Sequence, residues 1–265
     1  LNGSDTLVLT NRSAGFGLGS HVGYLQLKAI SDNGSHNFAP EPLEKTLQVR
    51  LEVMELTNSL SYLENEIMEG FNASGQTFEI WNAGSDSFAY SASGDVGWLS
   101  VAPTGGVCSG THIVLTNIYS TAGLYAGTYT GHVTIAALEG GGMTRSIEVV
   151  MRVMNRSQLS VSPLELRADA AEEYDTSNQV FRIWNGTKMF TLDWSAASGT
   201  NWLVLPNTNG MVAGGTQAVT VGFATAGLAK GTYQGQILVN GGVKEYEGAE
   251  AWDSPQAINV SVTVT

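Results

Sequence analysis

Phe78-Glu79-Ile80-Trp81-Asn82 returns 103 residues later as Phe181-Arg182-Ile183-Trp184-Asn185, and this recurrence decides how the rest of the chain is read. Working outward from it, Trp98-Leu99-Ser100-Val101 returns 104 residues on as Trp202-Leu203-Val204-Leu205. Ala126-Gly127-Thr128-Tyr129-Thr130-Gly131 returns at the same displacement as Lys230-Gly231-Thr232-Tyr233-Gln234-Gly235. Three landmarks that keep step over a hundred residues describe a tandem duplication. Each Trp-Asn pair is followed by a glycine within two residues, and Asn and Gly tolerate the positive φ of a tight hairpin.

A third copy is partial. Thr6-Leu7-Val8-Leu9-Thr10-Asn11 matches the stretch from Thr111 to Asn117, and Gly19-Ser20-His21-Val22-Gly23 stands where the later copies carry Gly-Thr-Tyr-x-Gly. Residues 1–55 therefore read as the last three strands of a repeat, residues 56–154 as a complete copy and residues 155–265 as a complete, more divergent one. Alternation and β-rich composition predict seven strands in the middle copy: Leu60–Glu64, Gln76–Asn82, Ser87–Ala92, Trp98–Val101, His112–Thr116, Tyr129–Ala137 and Arg145–Met154. Seven short strands with Gly- and Asn-rich turns predict an all-β fold of tandem immunoglobulin-like β-sandwiches, two complete and one half.

The 265 residues suit two or three such modules. Charged residues make up only 14% of the chain while glycines number 32, a composition of turns and short strands. A net charge of −12 opposes phosphate backbones and anionic lipid heads, so neither nucleic acid nor a membrane surface is an expected partner. The single cysteine, Cys108, rules out an intrachain disulfide and a cysteine-built metal site. No apolar run is long enough to cross a bilayer, and the first residues carry neither Met nor a signal-peptide pattern, which suggests that the chain starts inside something larger.

Trp98-Leu99-Ser100-Val101-Ala102-Pro103-Thr104-Gly105-Gly106, Gly127-Thr128-Tyr129-Thr130-Gly131 and Val133-Thr134-Ile135 together resemble the BACON-type module, a bacterial immunoglobulin-like domain. The resemblance covers residues 56–154 well, 155–265 less well and 1–55 least. It implies a secreted or surface-displayed spacer, often in tandem or attached to hydrolases and adhesins. It supplies no catalytic residue.

Chemistry is sparse. His21, His36, His112 and His132 have no metal-ligand spacing, and no nucleophile elbow or phosphate-cradling loop is present. No catalytic residue, metal or cofactor is expected. The acidic stretches Glu172-Glu173-Tyr174-Asp175 and Glu245–Asp253 carry hard oxygen ligands but no calcium-loop spacing, and read as solvated loops. Trp81, Trp98, Trp184 and Trp202 recur at equivalent strand positions and are expected in the cores. Trp252 has no counterpart in the middle copy and sits near Tyr246, so these two are the candidate ligand-binding rings. Seven sequons begin at Asn2, Asn11, Asn33, Asn72, Asn155, Asn185 and Asn259, where composition alone gives roughly three. They are candidate N-glycosylation sites, although Asn185-Gly186-Thr187 taken singly reads more economically as a hairpin turn.

The half copy exposes strand edges and one apolar face that something must complete: partner strands, a second copy of the chain, or preceding sequence. The expected function is an extracellular structural or adhesive module of a cell surface, sheath or filament, acting as a rigid spacer. The alternative is a carbohydrate-binding appendage of a secreted hydrolase, with glycans as partners.

Overall fold

The computed structural model describes residues 16–29, 43–84, 86–138 and 142–265, and every regular element among them is a strand. Twenty strands follow one another along the chain. A hairpin comes first, β1 (Gly19–Ala29) and β2 (Leu43–Val53). Nine strands come next: β3 (Leu56–Asn58), β4 (Tyr62–Met68), β5 (Gln76–Asn82), β6 (Phe88–Gly94), β7 (Leu99–Ala102), β8 (Gly105–Cys108), β9 (Ile113–Tyr119), β10 (Gly127–Ala137) and β11 (Thr144–Met154). Nine more repeat the pattern: β12 (Leu159–Ser162), β13 (Glu165–Ala170), β14 (Gln179–Asn185), β15 (Leu192–Ser198), β16 (Leu203–Val204), β17 (Asn209–Val212), β18 (Gln217–Phe223), β19 (Gly231–Val243) and β20 (Gln256–Val264).

Nine strands, rather than the expected seven, build each full copy. The additional pair in the middle copy is β3 and β8, of three and four residues. Both lie at sheet edges, and β8 opens on two glycines, so neither carries the long alternation by which a strand is recognised in sequence. The predicted strand Thr6–Asn11 lies outside the described residues.

By contact density the chain divides into two compact units: residues 1–67, 71–122 and 128–152 in one, and residues 68–70, 123–127 and 153–265 in the other. Sheet order is the same in both. The first contains a five-stranded sheet ordered β4-β11-β10-β6-β8 and a four-stranded sheet ordered β3-β5-β9-β7. The second contains β13-β20-β19-β15-β17 and β12-β14-β18-β16. In the second unit the outer strand β13 pairs in parallel with β20, from Glu165 opposite Asn259 to Ala170 opposite Val264.

The period of two along each strand sorts the side chains. Phe78, Ile80 and Asn82 face inward on β5, as do Phe181, Ile183 and Asn185 on β14, every one at most 3% exposed. Trp81 and Trp184 fall on the opposite parity and face outward, which corrects their expected place in the core. Trp98 and Trp202 are buried as expected. A further ring at matched positions is buried in each core, Tyr90 on β6 and Trp194 on β15, 2% and 3% exposed.

The second glycine of the Gly-Thr-Tyr-x-Gly motif is explained by close approach. A Cβ at Gly235 would lie 2.9 Å from Cζ2 of Trp202, and one at Gly131 would lie 2.5 Å from a Val96 methyl. Two buried polar residues also repeat. Thr121 and Thr225, both fully buried, each donate to a loop carbonyl, of Phe71 and of Tyr174, at 2.9 Å. Asn82 and Asn185 accept from the backbone N–H of Glu55 and Gln158 at 3.0 Å, tying the start of each copy to its core. This is what the repeated Trp-Asn pair does: its Asn is a structural hydrogen-bonding hub, and paired polar groups are what a dry core requires.

Candidate functional site

The β1–β2 hairpin is a ladder of eleven antiparallel pairs, from Gly19 opposite Val53 to Ala29 opposite Leu43. Leu25 faces Leu47, Gly23 faces Val49 and His21 faces Leu51, so one face collects Leu25, Leu27, Leu47, Val49, Leu51 and Val53. The other face is mixed, with Val22 opposite Arg50 and Tyr24 opposite Gln48. None of the hairpin residues with described side chains is buried, and Leu27 and Leu47 remain 37% and 40% exposed.

The second unit contains the same ladder in full use. Gly231 faces Val264, Gly235 faces Val260 and Ile237 faces Ile258, a register that superposes residue for residue on β1–β2. There the equivalent apolar stripe is core: Ile237, Val239, Ile258, Val260 and Val262 are 0% exposed and Val264 is 2%. Two neighbouring strands complete that sheet, β13 on the edge of β20 and β15 on the edge of β19. Among the described residues no strand occupies either outer edge of β1–β2.

Tyr246 and Trp252 are held by different partners rather than gathered into one site. The hydroxyl of Tyr246 accepts from the backbone N–H of Met68, which groups with the second unit, at 3.2 Å. Its ring meets that of Phe190 edge-on at 5.3 Å. Beside it, burial works to raise the pKa of Glu245, but both carboxylate oxygens accept from the N–H of Thr191 at about 3 Å, and the net shift is downward. Trp252 is tied by its backbone to Ser157 and Leu159 at 2.9 Å, and its side chain remains 39% exposed. The other acidic stretch is a structural turn, since Asp175 accepts from the N–H of Ala226 at 2.8 Å as Asn72 accepts from Ala122 in the first copy.

Asn72, Asn155 and Asn259 are exposed, while Asn2, Asn11 and Asn33 lie outside the described residues. Asn185 is a correction. It is 3% exposed, and its amide nitrogen donates to Ser157, Met189 and Phe190, which leaves no room for a glycan on the folded chain. The described histidines lie on separate elements: His21 beside the carbonyl of Gly17, His112 on Glu79 and His132 on Asp95. Among the described residues no three His, Cys, Asp or Glu converge as a metal site requires. Cys108 is fully buried, and that burial raises its thiol pKa.

Sequence reasoning missed one surface feature. Trp81 stacks on His112 with ring centroids 4.2 Å apart and planes 3° from parallel, and Glu79 holds Nδ1 of His112 at 2.7 Å. The signal was available, because the alternation that buries Phe78 and Ile80 puts Glu79 and Trp81 together on the other side.

Neither a family model nor a curated protein matches the chain. Solved structures do. The EC1-3 domains of the mouse clustered protocadherin PcdhgC3 are 10% identical, covering 92% of this chain and 77% of theirs with a TM-score of 0.44. The periplasmic chaperone SfaE is 14% identical over 80% of this chain and 100% of its own, with a TM-score of 0.33. A GH5 xyloglucanase of Bacteroides ovatus is 15% identical over 46% of this chain and 22% of its own, with a TM-score of 0.29. Similarities of this size carry no argument. The pairing of a four-stranded with a five-stranded sheet in each copy, in the orders given above, is itself that of the immunoglobulin-like β-sandwich.

Proposed function

We propose that this chain is a non-enzymatic structural or adhesive module displayed outside the cell, in which tandem sandwiches act as a spacer and the β1–β2 hairpin is the joining element. The observation that carries this reading is the hairpin itself: a ladder in the register of a sandwich core, with its apolar stripe still partly exposed. Residues 1–55 are then the closing half of one module, with 56–154 and 155–265 as two whole ones. Added strands, from a second copy or another chain, occupy the edges of β1 and β2 as β15 and β13 occupy those of β19 and β20. Each apolar side chain so covered contributes roughly 1.5–3 kcal/mol when burial is complete. The Trp98-Leu99-Ser100-Val101 and Gly127-Thr128-Tyr129 wording supports grouping the modules with the BACON type. An exterior position is supported by exposed sequons at Asn72, Asn155 and Asn259, whose glycosylation mass spectrometry of native material would detect.

Hydrogen exchange combined with light scattering tests the joining role. Outer-edge amides of β1 and β2 should exchange fast in the dilute chain and slowly in any assembly, and Val49→Asp should abolish assembly without lowering the Tm of the sandwiches. A dilute monomer whose β1–β2 edge amides are as slow as those of β19–β20 refutes it.

A further inference from the structure

The second unit carries a groove of about 800 Å³ on the outer face of its five-stranded sheet, across β15, β17 and β19. The loop between β19 and β20 forms its wall. That loop turns back so that Glu250 bridges Gly242, with Val243 donating to the carbonyl of Ala249 at 2.9 Å and Ala251 to that of Gly241 at 3.0 Å.

Strand register defines the floor. One row across the sheet reads Met211, Asp193, Gly242, Glu250, since Asp193 pairs with Met211 on one side and Gly242 on the other, and Gly242 bridges Glu250. The adjacent row reads Asn209, Ser195, Asn240. Gly242 makes a notch between two carboxylates: a Cβ there would lie 2.4 Å from Oδ1 of Asp193. That oxygen is shielded from solvent and has no hydrogen-bond partner, a costly state for a carboxylate. Ser195, Asn209 and Asn240 are exposed, and their side chains make no hydrogen bond to the described residues.

The first unit supplies an internal control. At the same lattice points it has Val107 opposite Ala89, and Gly105 and Ala136 flanking Ser91, with Val107 and Leu138 exposed at 65% and 63%. One fold thus presents an apolar, small-residue face in one copy and a polar, walled groove in the other. Fold maintenance does not demand this difference.

We propose that the groove binds a neutral oligosaccharide lying across β17, β15 and β19. A ligand matched to this floor must present donors and acceptors side by side, which is the chemistry of sugar hydroxyls: carboxamides offer both, the Ser195 hydroxyl offers both, and the carboxylates accept. Asp193, Glu247 and Glu250 against the single Lys244, in a chain of net charge −12, disfavour anionic glycans and phosphates. The row of Asn209, Ser195 and Asn240 is uncharged and offers a cationic peptide no ion pair. The exposed Met211 offers an apolar patch for a sugar's carbon face. This site is separate from Tyr246 and Trp252, which do not line it, and it does not depend on the joining role of the hairpin.

The test is titration of the intact chain with neutral hexasaccharides of glucose, xylose and mannose, read by calorimetry and by amide chemical shifts. At least one should bind, with the largest shifts at Ser195, Asn209 and Asn240. Asn209→Ala and Asn240→Ala should each weaken it at least tenfold at unchanged Tm, while Trp252→Ala leaves it intact. The proposal is overturned if no hexasaccharide shifts the groove at millimolar concentration, if binding survives both Asn variants, or if only an oligolysine peptide binds and does so in a salt-sensitive way.

Discussion

The hairpins β1–β2 and β19–β20 share register and apolar alternation, yet one is a sandwich core and the other is not. Register is local: it follows from the spacing of apolar residues and from where the glycines stand in Gly-x-x-x-Gly. Burial is not local. It depends on β12, β14, β16 and β18 supplying the opposite layer in the second unit. The same lines of sequence therefore make a finished core or an open face according to what else is present.

Substitution at matched positions gives the largest contrast. Ile258→Ala should cost about 2–5 kcal/mol, as truncation of a fully buried aliphatic does, whereas Leu47→Ala, at the equivalent place on β2, should cost less than about 1 kcal/mol in urea unfolding. Equal losses would mean that β1–β2 is already packed as a core. The next effect lies in the buried asparagines. Asn185→Ala strands the N–H of Gln158 and the carbonyl of Phe190, while the Met189 carbonyl keeps the Ser157 hydroxyl; Asn82→Ala strands the N–H of Glu55, so each should cost roughly 1–3 kcal/mol. Thermal unfolding that spares either variant would reduce the repeated Trp-Asn pair to a mere turn. A smaller loss, about 1 kcal/mol, is expected for Gln217→Leu, which removes the acceptor that Oε1 offers to Nε1 of Trp194 at 2.9 Å; the Tyr90 side of the comparison has no such bond to lose.

The smallest effect is one of pH. The backbone N–H of His132, donating at 2.7 Å, holds the Asp95 carboxyl below its ordinary value; desolvation opposes this and the His132 ring reinforces it. A depressed carboxyl stabilises the fold above its ordinary pKa, and that contribution fades as pH falls through the lowered value. Asp95→Asn should flatten the acid limb of stability for the first unit only, because Gly199 and Gln236 occupy the matching positions in the second. An unchanged acid limb on titration would remove Asp95 from the account.

The repeat and the all-β class were legible because landmark spacing is a one-dimensional signal. Parity along β5 and β14 was equally legible but was outweighed by the expectation that a recurring Trp is a core Trp. Trp81 and Trp184 recur because the fold repeats, and they face outward all the same. Asn185 reads as a sequon in the chain and as a buried hub in the fold, a distinction that only its three-dimensional neighbours make. The groove was illegible for the same reason. Met211, Asp193, Gly242 and Glu250 are far apart in sequence and become a row only through strand pairing.

The central proposal is that β1–β2 is a sandwich half left uncompleted among the described residues, and residue-resolved hydrogen exchange of the dilute chain tests it most directly. The account predicts that the outer-edge amides of β1 and β2 exchange orders of magnitude faster than those of β19 and β20, which open only with global unfolding. Protection of the two hairpins at the same level would contradict it.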